Sequence, residues 1–166
     1  ASGVGEDGGS LVRPFTVHPR IRAVVLIPEF EVETEKARKV LPMSYSRADA
    51  VFNVQRAGLL PLALSCGSLD IGLIRECMKD RLHQQYRAPL IPGLVECLAL
   101  PQTCGNPHLI ATALSGAGPT ILSLGTGDLK AIGGLMSGCM ERKGVKSRVL
   151  VLPFASKGAT VKWSMW

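Results

Sequence analysis

Aromatic residues are scarce in this chain of 166: two Trp, two Tyr and four Phe make up 5% of it. None are interleaved with basic residues, so a stacking platform for single-stranded nucleic acid is not expected. Long apolar runs are missing as well. The longest, AVVLI (23–27) and RVLVLPFA (148–155), fall far short of the about 20 residues a membrane helix needs. No nucleic-acid or membrane partner is therefore expected. A basic stretch followed by an apolar leader is also lacking, so the expected compartment is the cytoplasm. The five cysteines are odd in number and show no Cys-x-x-Cys spacing, and the three histidines are scattered. Neither a disulfide framework nor a metal centre is expected from such a set. Free cysteines in apolar surroundings are read as small buried hydrophobes.

What is present fits one globular unit. Apolar residues make up 46% and charged residues 19%, and a chain of this length buries roughly 70% of its unfolded surface. The net charge of +6 favours anionic partners, and a small phosphate-bearing ligand needs fewer cations than nucleic acid does. The chain starts ASGVGEDGGS, without an initiating Met. Residues 1–19 are read as a flexible lead-in and residues 20–166 as the folded domain.

The patterns predict alternating strands and helices. A β-branched run at 20–28 reads as a buried strand closed by Pro28. Residues 31–42 read as a short helix with Thr34 as N-cap and Pro42 as stop. Residues 47–65 have helical spacing, which Pro61 should kink or split. Residues 68–82 read as a helix capped by Ser68. The proline-rich stretch 86–94 reads as a loop, and 94–100 as a helix limited by Pro101. Strands are expected at 109–114 and 120–125. A helix at 127–144 starts near Asp128 and stops at Gly144. Strands at 147–154 and 159–163 complete the order. This mixture suits an α+β sandwich, a mostly antiparallel sheet with helices packed on one face.

Three short stretches could carry chemistry. The first is Ser115-Gly116-Ala117-Gly118-Pro119-Thr120. Its glycines permit a left-handed backbone and close approach of a ligand, and successive N–H groups in such turns form anion-binding nests. A plain hairpin bend is the competing reading. The second is Thr34 with Arg38, four apart and so on one helix face. A hydroxyl at a helix start and a guanidinium fork both suit an anion. A plain helix start with a solvated Arg is the alternative. The third is Arg87, held in the proline-rich YRAPLIPG. It is either aimed at a ligand or simply exposed on a loop.

Read in order, PEFEVETEKARKVLP, MKDRLHQQYRAPLIPG and LSGAGPTILSL resemble the C-terminal half of homoserine kinases. These belong to the galacto-, homoserine, mevalonate and phosphomevalonate kinase family. The Thr-x-x-x-Arg followed by Leu-Pro, the Asp80 seven before Arg87, the Leu-Ile-Pro-Gly and the glycine turn all match. The resemblance spans about residues 20–163. It implies a ferredoxin-like C-terminal lobe beside an N-terminal lobe that binds ATP through a Gly-Leu-Gly-Ser-Ser loop. It implies Arg38 and Arg87 as clamps on the homoserine carboxylate and Thr34 as a hydroxyl at the reacting end. The glycine turn, Ser115 to Thr120, would border the nucleotide. The implied reaction moves the γ-phosphoryl of ATP to the homoserine hydroxyl with Mg²⁺, in threonine biosynthesis, and a homodimer is possible.

Some features depart from that pattern. No Gly-Leu-Gly-Ser-Ser is present, so ATP and Mg²⁺ are expected to be held mainly by a lobe outside this sequence, and the chain alone is expected to be inactive. Gln84 stands where the family carries Glu, Pro61 falls inside a helix, and LALPQTCGNPHL replaces a small-residue approach to the glycine turn. A non-catalytic binding or regulatory module derived from such a kinase is the alternative.

Overall fold

The computed structural model describes residues 15–65, 67–155 and 158. Four strands form one antiparallel sheet: β1 (Arg22–Pro28), β2 (Leu109–Leu114), β3 (Ile121–Gly125) and β4 (Ser147–Leu152), in the spatial order β2-β3-β1-β4. The registers fix this arrangement. Val24 faces Ser123 on one side and Val151 on the other, and Leu114 faces Ile121. The expected strand at 159–163 and most of the expected lead-in lie outside the described residues.

Helices α5 (Leu94–Thr103) and α6 (Leu129–Glu141) cover one face of the sheet. Their apolar stripes meet the inward residues of the strands around Val24, Leu26, Leu94, Ile121, Ile132 and Met136, each fully or almost fully buried. Burying such a side chain stabilises the fold by roughly 1.5–3 kcal/mol. On that face the order is β1-α5-β2-β3-α6-β4, the ferredoxin-like arrangement. The α+β class and antiparallel sheet are as expected. Helices are not confined to one face, however. α2 (Arg47–Ser65) and α3 (Ile71–Cys77) lie against the other, where Ala63, Leu64, Ile74 and Cys77 pack on Ile110, Ala111 and Leu124. The reason is the strand alternation: Leu122 and Leu124 point away from α5 and α6, and they too need cover.

Several local expectations need correction. Thr34 is the first residue of α1 (Thr34–Lys39), not its cap; Glu33 holds that place with no side-chain bond. Asp70, not Ser68, caps α3, its Oδ1 accepting the Leu73 N–H at 2.9 Å. α2 runs unbroken through Pro61, and α5 continues past Pro101 to Thr103. Pro61 and its i−4 neighbour Ala57 are exposed, so the carbonyl freed by the proline can be hydrated and the helix survives. Asp128 does cap α6, through Ala131 N–H at 3.0 Å, and Gly144 ends the turn after it with φ +72°.

The largest miss is in the stretch read as a loop. Residues Gln84–Arg87 form a helical turn, α4, and Ala88–Leu90 continue it as a 3₁₀ turn. Pro89 sits in the first turn, where its missing N–H costs nothing. Gly93 then opens α5 with φ +84°; a Cβ there would lie 2.9 Å from the Cys139 carbonyl oxygen, so α5 and α6 approach closely at that point. Cys77, Cys97 and Cys139 are buried in these layers, as expected of packing residues. Burial pushes the Cys97 thiol far up, with Cys139 beside it adding to the effect.

Candidate functional site

The corner at the end of β2 is organised by Asp80. Its Oδ2 accepts the N–H groups of His83 and Gln84, each at 2.8 Å, which caps α4. Its Oδ1 accepts Asn53 Nδ2 at 2.7 Å, and Asn53 Oδ1 takes the Arg81 N–H at 2.9 Å. α2 is thereby pinned to the start of α4. Burial would raise the Asp80 pKa, but these three donors and nearby His83 outweigh it and hold the carboxyl below its ordinary value. Burial in turn pushes the half-buried His83 imidazole down; Asp80 opposes that shift and Arg87 adds to it.

α4 projects two side chains with distinct tasks. Gln84 is buried, and its Oε1 accepts the Leu114 N–H at 2.7 Å, at the last residue before the glycine turn. A neutral amide does here what a carboxylate could also do, so the departure at Gln84 leaves the turn anchored. Arg87 reaches further. Its Nε donates to the Ala37 carbonyl at 3.1 Å and its Nη1 to the Gly116 carbonyl at 2.7 Å. His83 Nδ1 lies 3.4 Å from the same Nη1. One guanidinium on α4 thus joins α1 and the glycine turn, whose contacted residues lie 50 and 29 residues away from it in sequence.

The glycine turn is shaped as its composition suggests. Gly116 and Gly118 have φ +60° and +87°. Ser115 N–H donates to Thr120 C=O at 2.9 Å and Gly118 N–H to Ser115 C=O at 3.1 Å, closing the turn. The N–H groups of Gly116 and Ala117 have no partner among the described residues. A Cβ on Gly118 would stand 2.5 Å from Ile91 Cδ1, so Leu-Ile-Pro-Gly and the glycine turn pack directly on each other. The Gly118–Pro119 peptide is cis. Thr34 and Arg38 are exposed on α1, on one face, and neither side chain has a partner among the described residues. Ala37, the neighbour of Arg38, is fully buried and is the residue whose carbonyl Arg87 holds.

The structure therefore brings the Ala37 carbonyl of α1, Arg87 and the turn to one corner; Arg38 follows Ala37 in the chain, with Thr34 one helical turn before it. Arg87 is not a free fork, since two of its nitrogens end on carbonyls and only Nη2 remains for a ligand. Sequence reasoning passed over His83 and Asn53 and gave Asp80 no task. The signal for Asp80 was its place three and four residues before His83 and Gln84, the spacing of a helix cap. Among the described residues no three carboxylate, histidine or cysteine side chains gather where they could hold an ion, and no helix is long and apolar enough to cross a membrane.

Similar sequences and a similar solved structure are homoserine kinases. No family model matches the chain. It is 50% identical over 143 residues to homoserine kinase of Schizosaccharomyces pombe, covering 86% of this chain and 42% of that protein. It is 39% identical over 156 residues to homoserine kinase of Moorella thermoacetica, covering 93% and 51%. A crystal structure of homoserine kinase from Cytophaga hutchinsonii superimposes with a TM-score of 0.76 at 28% identity, covering 87% of this chain and 44% of that one. The chain spans about half the length, or somewhat less, of the relatives it matches. Within that span, the chain is similar to the C-terminal portion of homoserine kinases.

Proposed function

We propose that this chain is the substrate-side portion of an ATP-dependent homoserine kinase, phosphorylating the homoserine hydroxyl on the way to threonine. The observation that carries the reading is the Arg87 guanidinium, which ties the Thr34–Arg38 helix to the glycine turn through two carbonyls. That leaves Arg87 Nη2 and the Arg38 guanidinium to bind the substrate carboxylate, a charge-assisted contact. Thr34, one turn along α1, would then stand near the hydroxyl end of the substrate. The open N–H groups of Gly116 and Ala117 fit the edge of an anion, in keeping with a place beside the nucleotide phosphates.

Phosphoryl transfer asks the protein chiefly for positioning and charge stabilisation. The residues here supply the first: a rigid corner that orients one carboxylate and one hydroxyl. ATP and Mg²⁺ are assigned mainly to a portion outside this sequence, because the sequence carries no Gly-Leu-Gly-Ser-Ser loop. We take the working enzyme to be cytoplasmic, with a homodimer as one assembly open to it. Alone, the chain should bind ATP weakly or not at all.

The test is Arg87→Ala in a kinase reassembled by joining the N-terminal portion of the Schizosaccharomyces pombe relative to this chain. Homoserine-dependent ADP release should fall by ~2–4 kcal/mol in kcat/KM, the scale of a lost buried charge partner. Unchanged kcat and KM for homoserine would remove Arg87 from the site. A reassembled enzyme that folds and binds ATP yet never turns homoserine over would favour a non-catalytic module instead.

A further inference from the structure

A cavity of about 600 Å³ borders the corner: Asp80 and Gln84 help to line it, whereas Thr34, Arg38, Arg87 and the glycine turn do not. It follows the outer edge of β2, with Ala111 and Thr112 as floor and residues of α3 and α5 as walls. β2 is the terminal strand of the sheet, so alternate residues turn their backbone N–H and C=O outward. Three contacts fix which ones. Ser115 N–H donates to Thr120, so Ser115 faces β3. Leu114 N–H faces out, to Gln84. Ile110 C=O also faces out and accepts Arg75 Nε at 2.9 Å. Thr112, midway between Ile110 and Leu114, must therefore present both its N–H and its C=O to the cavity. Neither has a partner among the described residues, although Thr112 is only 6% exposed. Adjacent, buried and unpaired backbone groups are uncommon in folded proteins.

Gln84 and Arg75 occupy the outward groups on either side, so the open window on this edge is one residue wide. A long strand cannot be added there. The charge around it is uneven. Of the lining groups, Arg56, Arg75, Lys79 and Arg81 are cationic and Glu76 and Asp80 anionic, a balance of 4 − 2 = +2. Glu76 is shared by Arg56 and Lys79, and Asp80 is engaged in capping α4. Arg75 has only the carbonyls of Ile110 and Leu109 as partners, and no carboxylate. Met78 and Leu98 give the groove an apolar side.

We propose that this groove binds a short acidic peptide, about two to three residues long. One residue of the peptide exchanges both backbone hydrogen bonds with Thr112. Its carboxylate pairs with Arg75, and an apolar side chain rests on Leu98 and Met78. The groove takes none of the residues proposed to bind homoserine, although Asp80 and Gln84 line it as well as holding the corner.

The test is a ¹⁵N NMR titration of the 166-residue chain with acetyl-Leu-Glu and with the neutral acetyl-Leu-Gln-amide. Acetyl-Leu-Glu should shift the Thr112 amide saturably, and the neutral peptide should bind roughly tenfold more weakly. Arg75→Gln, which keeps a donor for Ile110, should weaken acetyl-Leu-Glu to a similar degree. Val95→Trp, at an exposed position on the rim, should weaken both peptides by narrowing the mouth. No saturable shift at about 10 mM in a folded spectrum, equal binding of the two peptides, or shifts confined to Gly116 and Arg87 would each overturn the proposal. So would concentration-dependent dimerisation in sedimentation that shifts Thr112 without peptide, since the window would then serve a second copy of the chain. Homoserine turnover is not read, so failure of the kinase reading leaves this result intact.

Discussion

The sheet face under α5 and α6 and the corner around Arg87 are held together by different means. Under α5 and α6, Val24, Leu26, Ile132 and Met136 are almost wholly removed from water, and their attraction is non-directional. At the corner, Asp80, Gln84 and Arg87 act through single hydrogen bonds of 2.7–3.1 Å to backbone atoms. The first region depends on how much apolar volume is filled. The second depends on which atom stands where. Truncating a side chain should therefore cost stability in proportion to size in the first, and should cost geometry in the second.

The sharpest test of the packed face is Ile132→Ala. Ile132 is fully buried, and removing it leaves a cavity, so unfolding free energy should drop by about 2–5 kcal/mol in urea denaturation. A drop under about 1 kcal/mol would mean that the helices slide to refill the space, and that the face is less tightly specified than its burial implies. Gly118→Ala tests the seam between the two regions. The new methyl would meet Ile91 Cδ1 at 2.5 Å on a residue with φ +87°. Both the overlap and the left-handed backbone are unfavourable, so a loss of about 1–3 kcal/mol is expected. Loss of the Arg87–Gly116 contact should follow, visible as a shift of the Ala117 amide.

The same contrast explains what could be read from the sequence. β1, β2 and β3 were legible as short apolar runs, because helices cover the sheet on both faces, and α6 because burial of one side imposes a helical period on its residues. Asp128 and Gly144 marked the two ends of α6 for the same local reason. α4 was not legible. Its cap, Asp80, lies outside the helix, and Pro89 looked like a breaker although it sits where a missing N–H is harmless. The prolines in α2 and α5 misled in the same way, since exposure at Pro61 decides the outcome and exposure is a tertiary property. Of the candidate site, the residue identities were legible, but the convergence was not. That Arg87 spends two nitrogens on Ala37 and Gly116 depends on contacts 50 and 29 residues apart, and no spacing records them.

Asp80 offers a pH-dependent test of the corner. Its carboxyl is held below the ordinary range despite burial, by the Gln84, His83 and Asn53 donors. A carboxyl with a depressed folded-state pKa stabilises above its unfolded value of about 3.9, and that contribution is lost as pH falls through the folded value. Asp80→Asn keeps the shape but cannot accept from all three donors at once. At pH 7 the variant should be less stable by about 1–3 kcal/mol. The gap from the parent should close as pH falls below about 4, because the parent then loses what the variant never had. A gap that stays constant down to acid pH would show that Asp80 acts by shape and not by charge.

The smallest effect should come from the ion pair on α1. Lys39 Nζ and Glu35 Oε1 are 2.7 Å apart, but both side chains are more than 70% exposed. Water screens the attraction, and ordering two long side chains costs entropy, so Glu35→Gln should change stability by only about 0.3–0.5 kcal/mol. The pair lies beside Arg38, however, and its loss would leave Lys36, Arg38 and Lys39 on a six-residue helix with no acidic residue of its own. If α1 is positioned by Arg87 through Ala37, as the corner geometry requires, removing that one charge leaves the helix where it is. A loss above about 1 kcal/mol, or shifts reaching the Gly116 amide, would mean that α1 holds itself in place through surface charge, and that Arg87 only follows it.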